Sequence, residues 1–408
     1  MTNETIAKYA TWGTLFALAS LSIAFMPYID SLYYVIISCL VLLALGQKGG
    51  KWNLKMVFLL VACLLSIVLN DTPVIFRSWE RFALFLLVMV AVSPLCQSHL
   101  MNSFRLKLFS WVMWLLLFIT VASCVTYFLG IDLSTQVKDT KVLFYGGIAR
   151  NSMMLAPCAG ISFSYLLVRL LSKYYPQENK KIYIIGIAGL MMVSFIMLLV
   201  SGSRGALVAT VVSVIFIFYK YNRAHLSKFI GYIAVFFVVS VLSYPIWSPH
   251  TNAIEEKQKG NNRSGSATSS RNSKWQARWK EFNSSPIFGI GFSTVALEHT
   301  DDYIGGGIVE SGSSWLSLLS MVGLLGFVPF LCLFLDHWWF LFTDDENVYL
   351  SALLAVVMCW FSVHMLIEGY VLAGGSFLCF ILWLTIGAAN AHRMFVAEKE
   401  ESEVVNEV

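Results

Sequence analysis

Along most of the chain, apolar residues run for about 20 positions at a time, long enough for a helix to cross the roughly 30 Å of a hydrocarbon layer. Runs of this length predict helices, because barrel strands would be about 10 residues long and alternate in character. Such runs fall at 10–28, 31–47, 54–71, 79–96, 107–129, 151–172, 182–201, 204–220, 228–246, 314–335, 348–368 and 371–390, which predicts about twelve spans. Polar residues take over for a long interval only between 247 and 313. The expected organisation is spans 1–9 over residues 1–246, a polar loop over 247–313, spans 10–12 over 314–390, and a tail over 391–408.

Composition agrees with that pattern. Of 408 residues, 58% are hydrophobic and 13% charged, against roughly 25% charged in soluble domains; mean hydropathy is +0.71. The expected class is an all-α integral membrane protein. Its first apolar run lacks a basic start and a small-residue cleavage site, so it is expected to stay as the first span. The net charge of +4 does not suggest nucleic acid. All eight cysteines lie in or beside apolar runs without paired spacing, which reads as buried apolar side chains and not as disulfides or metal ligands.

Where the charges fall is more informative than their sum. An even number of spans puts both termini on one side, with Lys48, Lys51, Lys55, Arg105, Lys107, Arg169, Lys173, Lys180, Lys181, Lys220, Arg223, Lys228, Arg393 and Lys399. The positive-inside tendency makes that side cytoplasmic and the 247–313 loop external; the acidic stretch Asp344-Asp345-Glu346 is a mild exception. Arg77, Arg81, Arg150, Arg204, Arg263, Arg271 and Arg278 then face outward, against the tendency. Arg204 sits in Ser201-Gly202-Ser203-Arg204-Gly205-Ala206, between two apolar runs, where an isolated arginine costs roughly 2–3 kcal/mol. It is therefore a candidate binding group, the alternative being a side chain that snorkels to the interface. The planar guanidinium fork suits phosphate, so outer arginines at membrane level suit an anionic head group: a diphosphate on a polyprenyl carrier, or ordinary phospholipid.

Within the polar loop, residues 251–273 are rich in Ser, Asn, Gly and charge and are expected to be flexible. Trp275, Trp279 and Phe282 then recur at spacings of four and three, which predicts a short helix with one apolar stripe and with Arg271 and Arg278 on another face. The tryptophans read as packing or interfacial residues, or as platforms for sugar rings. Pro286 ends that helix, and Gly289 and Gly291 permit tight turns. Glu298, His299, Asp301 and Asp302 are competent ligands for a divalent ion, but in an exposed loop they read as solvated, and no metal is expected. His364 and Glu368, four apart near the outer end of the eleventh span, are supporting candidates; Glu368 is expected to orient an arginine or the acceptor, or to form a structural ion pair. His337, with Trp338 and Trp339, reads as an interface anchor.

Taken together, Ser201-Gly-Ser-Arg204-Gly-Ala, Ser270-Arg271-x-x-x-Trp275, Pro286-Ile-Phe-Gly289-Ile-Gly291-Phe, and Ser314-Trp315-Leu316 through Gly323-Leu-Leu-Gly326 resemble the O-antigen ligase/O-antigen polymerase family of membrane glycosyltransferases. The resemblance covers roughly residues 140–375. Phe144-Tyr-Gly-Gly147 and Asn151 match the family's entry to the sixth span loosely. What it implies is a GT-C-like helical fold with one large periplasmic loop carrying short helices, in the bacterial inner membrane. The implied reaction transfers a glycan from undecaprenyl diphosphate to a saccharide or lipid A core acceptor, with no cofactor and no metal.

The family's diphosphate-binding arginines map onto Arg204 and Arg271, with Arg278 beside them and Arg150 as a possible supporting group. The family's His before the span after the loop is absent: the aligned segment reads Gly312-Ser313-Ser314-Trp315-Leu316. A base must lie within hydrogen-bond reach of its proton, and the nearest candidates in sequence are Glu310 and then His299. The missing His tips the expectation from ligase toward polymerase. The alternative from another class is a transporter or flippase of lipid-linked saccharides, but the outer crowding of ionisable residues and the lack of repeated halves argue against it.

Overall fold

The computed structural model describes residues 3–27, 30–47, 50–135, 144–176, 178–263, 269–297, 309, 312–344 and 348–407. The chain is almost entirely helical. In order, the helices are α1 (Asn3–Ser22), α2 (Asp30–Leu45), α3 (Leu54–Val68), α4 (Ser78–Val92), α5 (His99–Phe128), α6 (Ser152–Leu171), α7 (Lys180–Val200), α8 (Arg204–Asn222), α9 (Leu226–Leu242), α10 (Tyr244–Trp247), α11 (Asn252–Arg263), α12 (Ser269–Ser284), α13 (Ser314–Thr343), α14 (Val348–His364) and α15 (Phe377–Glu407). Two short strands, β1 (Lys51–Trp52) and β2 (Cys96–Gln97), pair antiparallel.

Each of the expected apolar segments coincides with a helix, yet the count of twelve crossings is not confirmed. Six helices among the described residues are long and apolar enough to span: α5, α6, α7, α8, α13 and α15. A seventh is possible if α9 and the Tyr244–His250 segment, bent by 55°, form one span; α2, α3 and α14 are apolar but shorter. Length and composition make this a multi-pass membrane protein.

α6, α8 and α14 pack together with α5 and α15 around Trp360 and Trp383, both fully buried. Trp360 Nε1 donates to Thr210 Oγ1 at 3.0 Å, which satisfies the one polar atom of that indole. The bundle's two ends differ in chemistry. At one end Lys55 and Arg393 share Asp336, at 3.0 and 2.9 Å. At the same end Lys220 Nζ donates to the carbonyls of Leu341, Phe342 and Asp344, placing a cation on the negative C-terminus of α13. At the other end lie the N-termini of α6, α8 and α13, capped by the side chains of Asn151, Ser203 and Ser313.

Several expectations fail here for identifiable reasons. Residues 252–263, expected to be flexible, are helical: Thr251 Oγ1 meets Glu255 Oε1 at 2.7 Å at the start of α11, and Ala253 packs over Gly202 at the end of α7. Arg105, read as a loop cation, is fully buried, because α5 begins earlier than expected and Gly387 of α15 leaves room beside its Cδ. His337 is buried too, bonded to Leu333 O at 2.7 Å and facing Asn390 Oδ1 at 3.3 Å, so it is not an interface anchor. The tail over 391–407 continues α15 as helix. The turn expected at 368–370 is longer: residues 365–376 are non-helical, held by Trp383 Nε1 donating to Val371 O at 2.9 Å.

The largest departure is inside α13. At Gly323 the helix breaks, with φ 62°. The freed backbone is not left unmet, which in an apolar setting would be costly. Residues 286–291, which begin with a turn, dock along the break as a strap: Ile290 N donates to Ser320 O at 2.8 Å, Gly291 N to Met321 O at 3.2 Å, Leu324 N to Pro286 O at 2.8 Å and Leu325 N to Ile287 O at 3.1 Å. Ser66 Oγ of α3 donates to Met321 O, and Asn70 Nδ2, just past the end of α3, donates to Gly289 O at 3.1 Å. Phe292 then plugs between Phe82 and Phe85 of α4, with ring centroids 5.7 and 5.5 Å away.

Candidate functional site

Arg204 is the first residue of α8. Gly202, with φ +69°, ends α7, and Ser203 caps the new helix by accepting from Ala206 N at 3.3 Å. The small-residue break seen in the sequence is thus a sharp helix-to-helix turn. It puts a cationic side chain beside a helix N-terminus, an arrangement that favours anions. Arg204 is half-buried, and its Nη1 donates to Gln258 Oε1 of α11 at 2.7 Å.

Arg271 lies on α12, the helix predicted from the tryptophan spacing. Its Nη2 donates to Glu368 Oε1, with 19% and 20% of the two side chains exposed. Arg204 and Arg271 stand close enough to repel one another, and Gly205 packs against Ile367, the residue before Glu368. Two arginines from distant segments and one carboxylate therefore converge where α8, α12 and the 365–376 loop meet.

Trp275 ties α12 to the start of α13: its Nε1 donates to Gly312 O at 3.1 Å. That is a packing role. Trp279, half exposed, sits beside Phe282 with centroids 5.5 Å apart. Arg271, Trp275, Arg278 and Phe282 share the inner face of α12 and Trp279 is exposed, so the arginines do not lie on a face separate from the aromatic stripe as expected.

Arg278 is not arranged as a diphosphate ligand. It is buried, its Nη2 pairs with Glu281 Oε1 at 2.6 Å, and Glu281 also accepts from Ala296 N at 2.8 Å. Burial pulls the Arg278 guanidinium below the usual arginine range, opposed by the charge of Glu281. Its Nε and Nη1 are buried as well and make no hydrogen bond among the described residues. The pair braces α12 against the re-entry segment.

Arg150 donates to the carbonyls of Leu21 at 2.9 Å, Ser20 at 2.6 Å and Met26 at 3.2 Å, gathering the C-terminal end of α1. His364 is buried, stacked on Trp360 with centroids 4.4 Å apart, and its Nδ1 meets Tyr370 Oη at 3.2 Å. His364 and Glu368 thus take separate partners in place of the shared helical face expected, because α14 ends at His364. Glu310 and His299, and the Glu298, Asp301 and Asp302 set, lie outside the described residues.

Beside this cluster is a cavity of about 720 Å³. Arg81 and Leu84 of α4, Tyr34 of α2, Ser317 and Met321 of α13, and the 369–376 loop line it. Arg81 Nη1 donates to Ser293 Oγ at 3.1 Å, so the strap's end helps to hold this cation at the wall. Gly369 and Tyr370, directly after Glu368, form part of the lining, as does Val309. The sequence showed no signal for Gln258, which lay in a stretch read as flexible, and none for the cavity; Arg81 was visible as an outward cation without a role.

Fold and site together define a multi-pass membrane protein with two arginines and a carboxylate gathered next to a cavity of mixed polar and apolar lining. Residues 188–331 match the family model described as O-antigen ligase, so the chain carries a domain of the O-antigen ligase family. The match contains Arg204, Arg271, the strap and the break in α13; Glu368 and Arg81 lie outside it. A comparison with curated proteins gave no match. Glycan transfer of the ligase/polymerase type is the general activity that the family match supports.

Proposed function

We propose that this protein transfers a glycan from undecaprenyl diphosphate, or a similar polyprenyl diphosphate, to a saccharide acceptor at the outer face of the bacterial inner membrane, and that it acts as a polymerase. The supporting observation is the convergence of Arg204 and Arg271 at the N-terminus of α8, beside a cavity large enough for sugar rings. In transfer, the bond between the anomeric carbon and the diphosphate oxygen breaks, and negative charge grows on the diphosphate. Arginines already oriented at that point stabilise the charge as it develops. The acceptor occupies the cavity, whose serines, tyrosines and backbone groups suit hydroxyls. The segment Gly312–Leu316, where a ligase of this family would carry a histidine, favours polymerisation. Of the residues read from the sequence alone, Glu310 and His299 are the candidates for taking the acceptor proton. Both termini are proposed to be cytoplasmic.

The test is reconstitution in lipid nanodiscs with a lipid-linked oligosaccharide and no nucleotide sugar. Glycans two or more repeat units long support the polymerase, and glycan on added lipid A core moves the reading to ligase. Passage of the lipid across vesicles without transfer would put a transporter in its place.

A further inference from the structure

Glu368 stands between the arginine pair and the cavity. Its carboxylate accepts from Arg271, while the next two residues, Gly369 and Tyr370, line the cavity. Its backbone is fixed. The Glu368 carbonyl accepts from Ser314 N at 3.0 Å and Ser314 Oγ at 2.8 Å, and Tyr370 N donates back to Ser314 Oγ at 2.9 Å. The first turn of α13 thus sets where the carboxylate can reach. With about a fifth of each side chain exposed, the ion pair can be parted without opening the bundle.

A diphosphate and a carboxylate compete for the same guanidinium fork, and the diphosphate brings more charge and more acceptor oxygens. We propose that Glu368 is a resident counter-ion of Arg271 that the donor's diphosphate displaces, and that the released carboxylate takes the proton of the acceptor hydroxyl. This rests on the glycan-transfer reading above. The acceptor O–H bond breaks and its proton goes to Glu368. The acceptor oxygen bonds to the anomeric carbon, and the carbon–oxygen bond to the diphosphate breaks, its electron pair staying on the diphosphate between Arg204 and Arg271. While paired, Glu368 is a poor base, because the neighbouring cation favours its ionised form; transfer of Arg271 to the diphosphate raises its basicity. Donor binding therefore arms the base.

The experiment uses the full-length protein in nanodiscs, with farnesyl diphosphate as binding probe and lipid-linked oligosaccharide for turnover. Glu368→Gln removes the competing charge and the base at once. It is expected to bind farnesyl diphosphate several-fold tighter while turnover falls about 10²-fold or more, and formate is expected to restore part of the turnover of Glu368→Ala. Weaker probe binding by Glu368→Gln would mean that Glu368 only props Arg271, and would overturn the proposal. So would undiminished turnover, and a Glu310→Gln variant that alone abolishes transfer would then locate the base elsewhere. If Arg204→Ala and Arg271→Ala both bind the probe as the wild type does, the arginine assignment fails, and this proposal with it.

Discussion

Gly289 and Gly323 face each other across a backbone contact that neither could make with a side chain. A Cβ on Gly289 would lie closer than 3.0 Å to the backbone of Met321, and one on Gly323 closer than 3.0 Å to the backbone of Ile287. Both residues also have positive φ, 71° and 62°, which side chains other than glycine's rarely adopt. The strap and the broken helix thus require each other.

Gly289→Ala and Gly323→Ala are each expected to destabilise the protein severely, on the order of 4 kcal/mol or more. The clashes are with backbone atoms that cannot rotate away. Thermal unfolding in detergent measures this; a drop in melting temperature of only a degree or two in both variants would contradict the strap as described.

How much of this was legible beforehand depends on which physical signal carried each feature. Apolar run length marked the helical segments, and the small residues around Arg204 marked a turn between two of them, because both signals are local. The α12 helix was visible in the spacing of Trp275, Trp279 and Phe282, but which of its faces turns inward was not. Burial of Arg278 depends on Glu281 and on the main chain at Ala296, a pairing that sequence spacing alone does not rank above the aromatic stripe. Pro286, Gly289 and Gly291 were visible as breakers, whereas Gly323 stood inside an expected unbroken span. That the strap and the helix break meet is a tertiary fact, since the hydrogen bonds run between residues 30 to 38 positions apart in sequence. That Glu368 would orient an arginine or form an ion pair was among the expectations, but that the partner is Arg271, 97 positions away, was beyond reach of local pattern.

The Arg278–Glu281 pair yields a second prediction. Removing one member of a buried ion pair leaves an uncompensated charge, at a cost of about 3–5 kcal/mol. Arg278→Ala and Glu281→Ala should each destabilise by that order, and an apolar pair such as Arg278→Met with Glu281→Leu should recover much of the loss. Chemical denaturation of the three variants checks this. Farnesyl diphosphate affinity, measured on the folded fraction, is expected to change little, since Arg278 faces Glu281 and not a ligand.

Arg150 should behave in the same manner. Its guanidinium gathers two carbonyls of the last turn of α1 and one just beyond it, and hydrogen bonds to a charged donor contribute about 1.5–3 kcal/mol each where they are not replaced by water. Arg150→Ala is expected to lower the melting temperature and to loosen α1, seen as faster hydrogen exchange near Ser20 to Ile23, with transfer per folded molecule retained. Loss of transfer at full stability would return Arg150 to the site.

Substitution by lysine separates charge from geometry at the two site arginines. Lysine keeps the charge but not the planar fork, so Arg204→Lys and Arg271→Lys are expected to bind farnesyl diphosphate roughly tenfold more weakly, the equivalent of about 1.4 kcal/mol. Titration by isothermal calorimetry in detergent gives the affinities. Equal affinity in the lysine variants would mean that charge alone suffices.

The most direct test of the central claim is release of polyprenyl diphosphate coupled to glycan transfer, followed in nanodiscs for the wild type, Arg204→Ala and Arg271→Ala at equal folded concentration. Removing one preoriented charge-stabilising group costs about 10²–10³ in turnover, so each variant is expected to fall by that order while remaining folded. Transfer at the wild-type rate in both variants would contradict the assignment of Arg204 and Arg271 as the groups that hold the diphosphate.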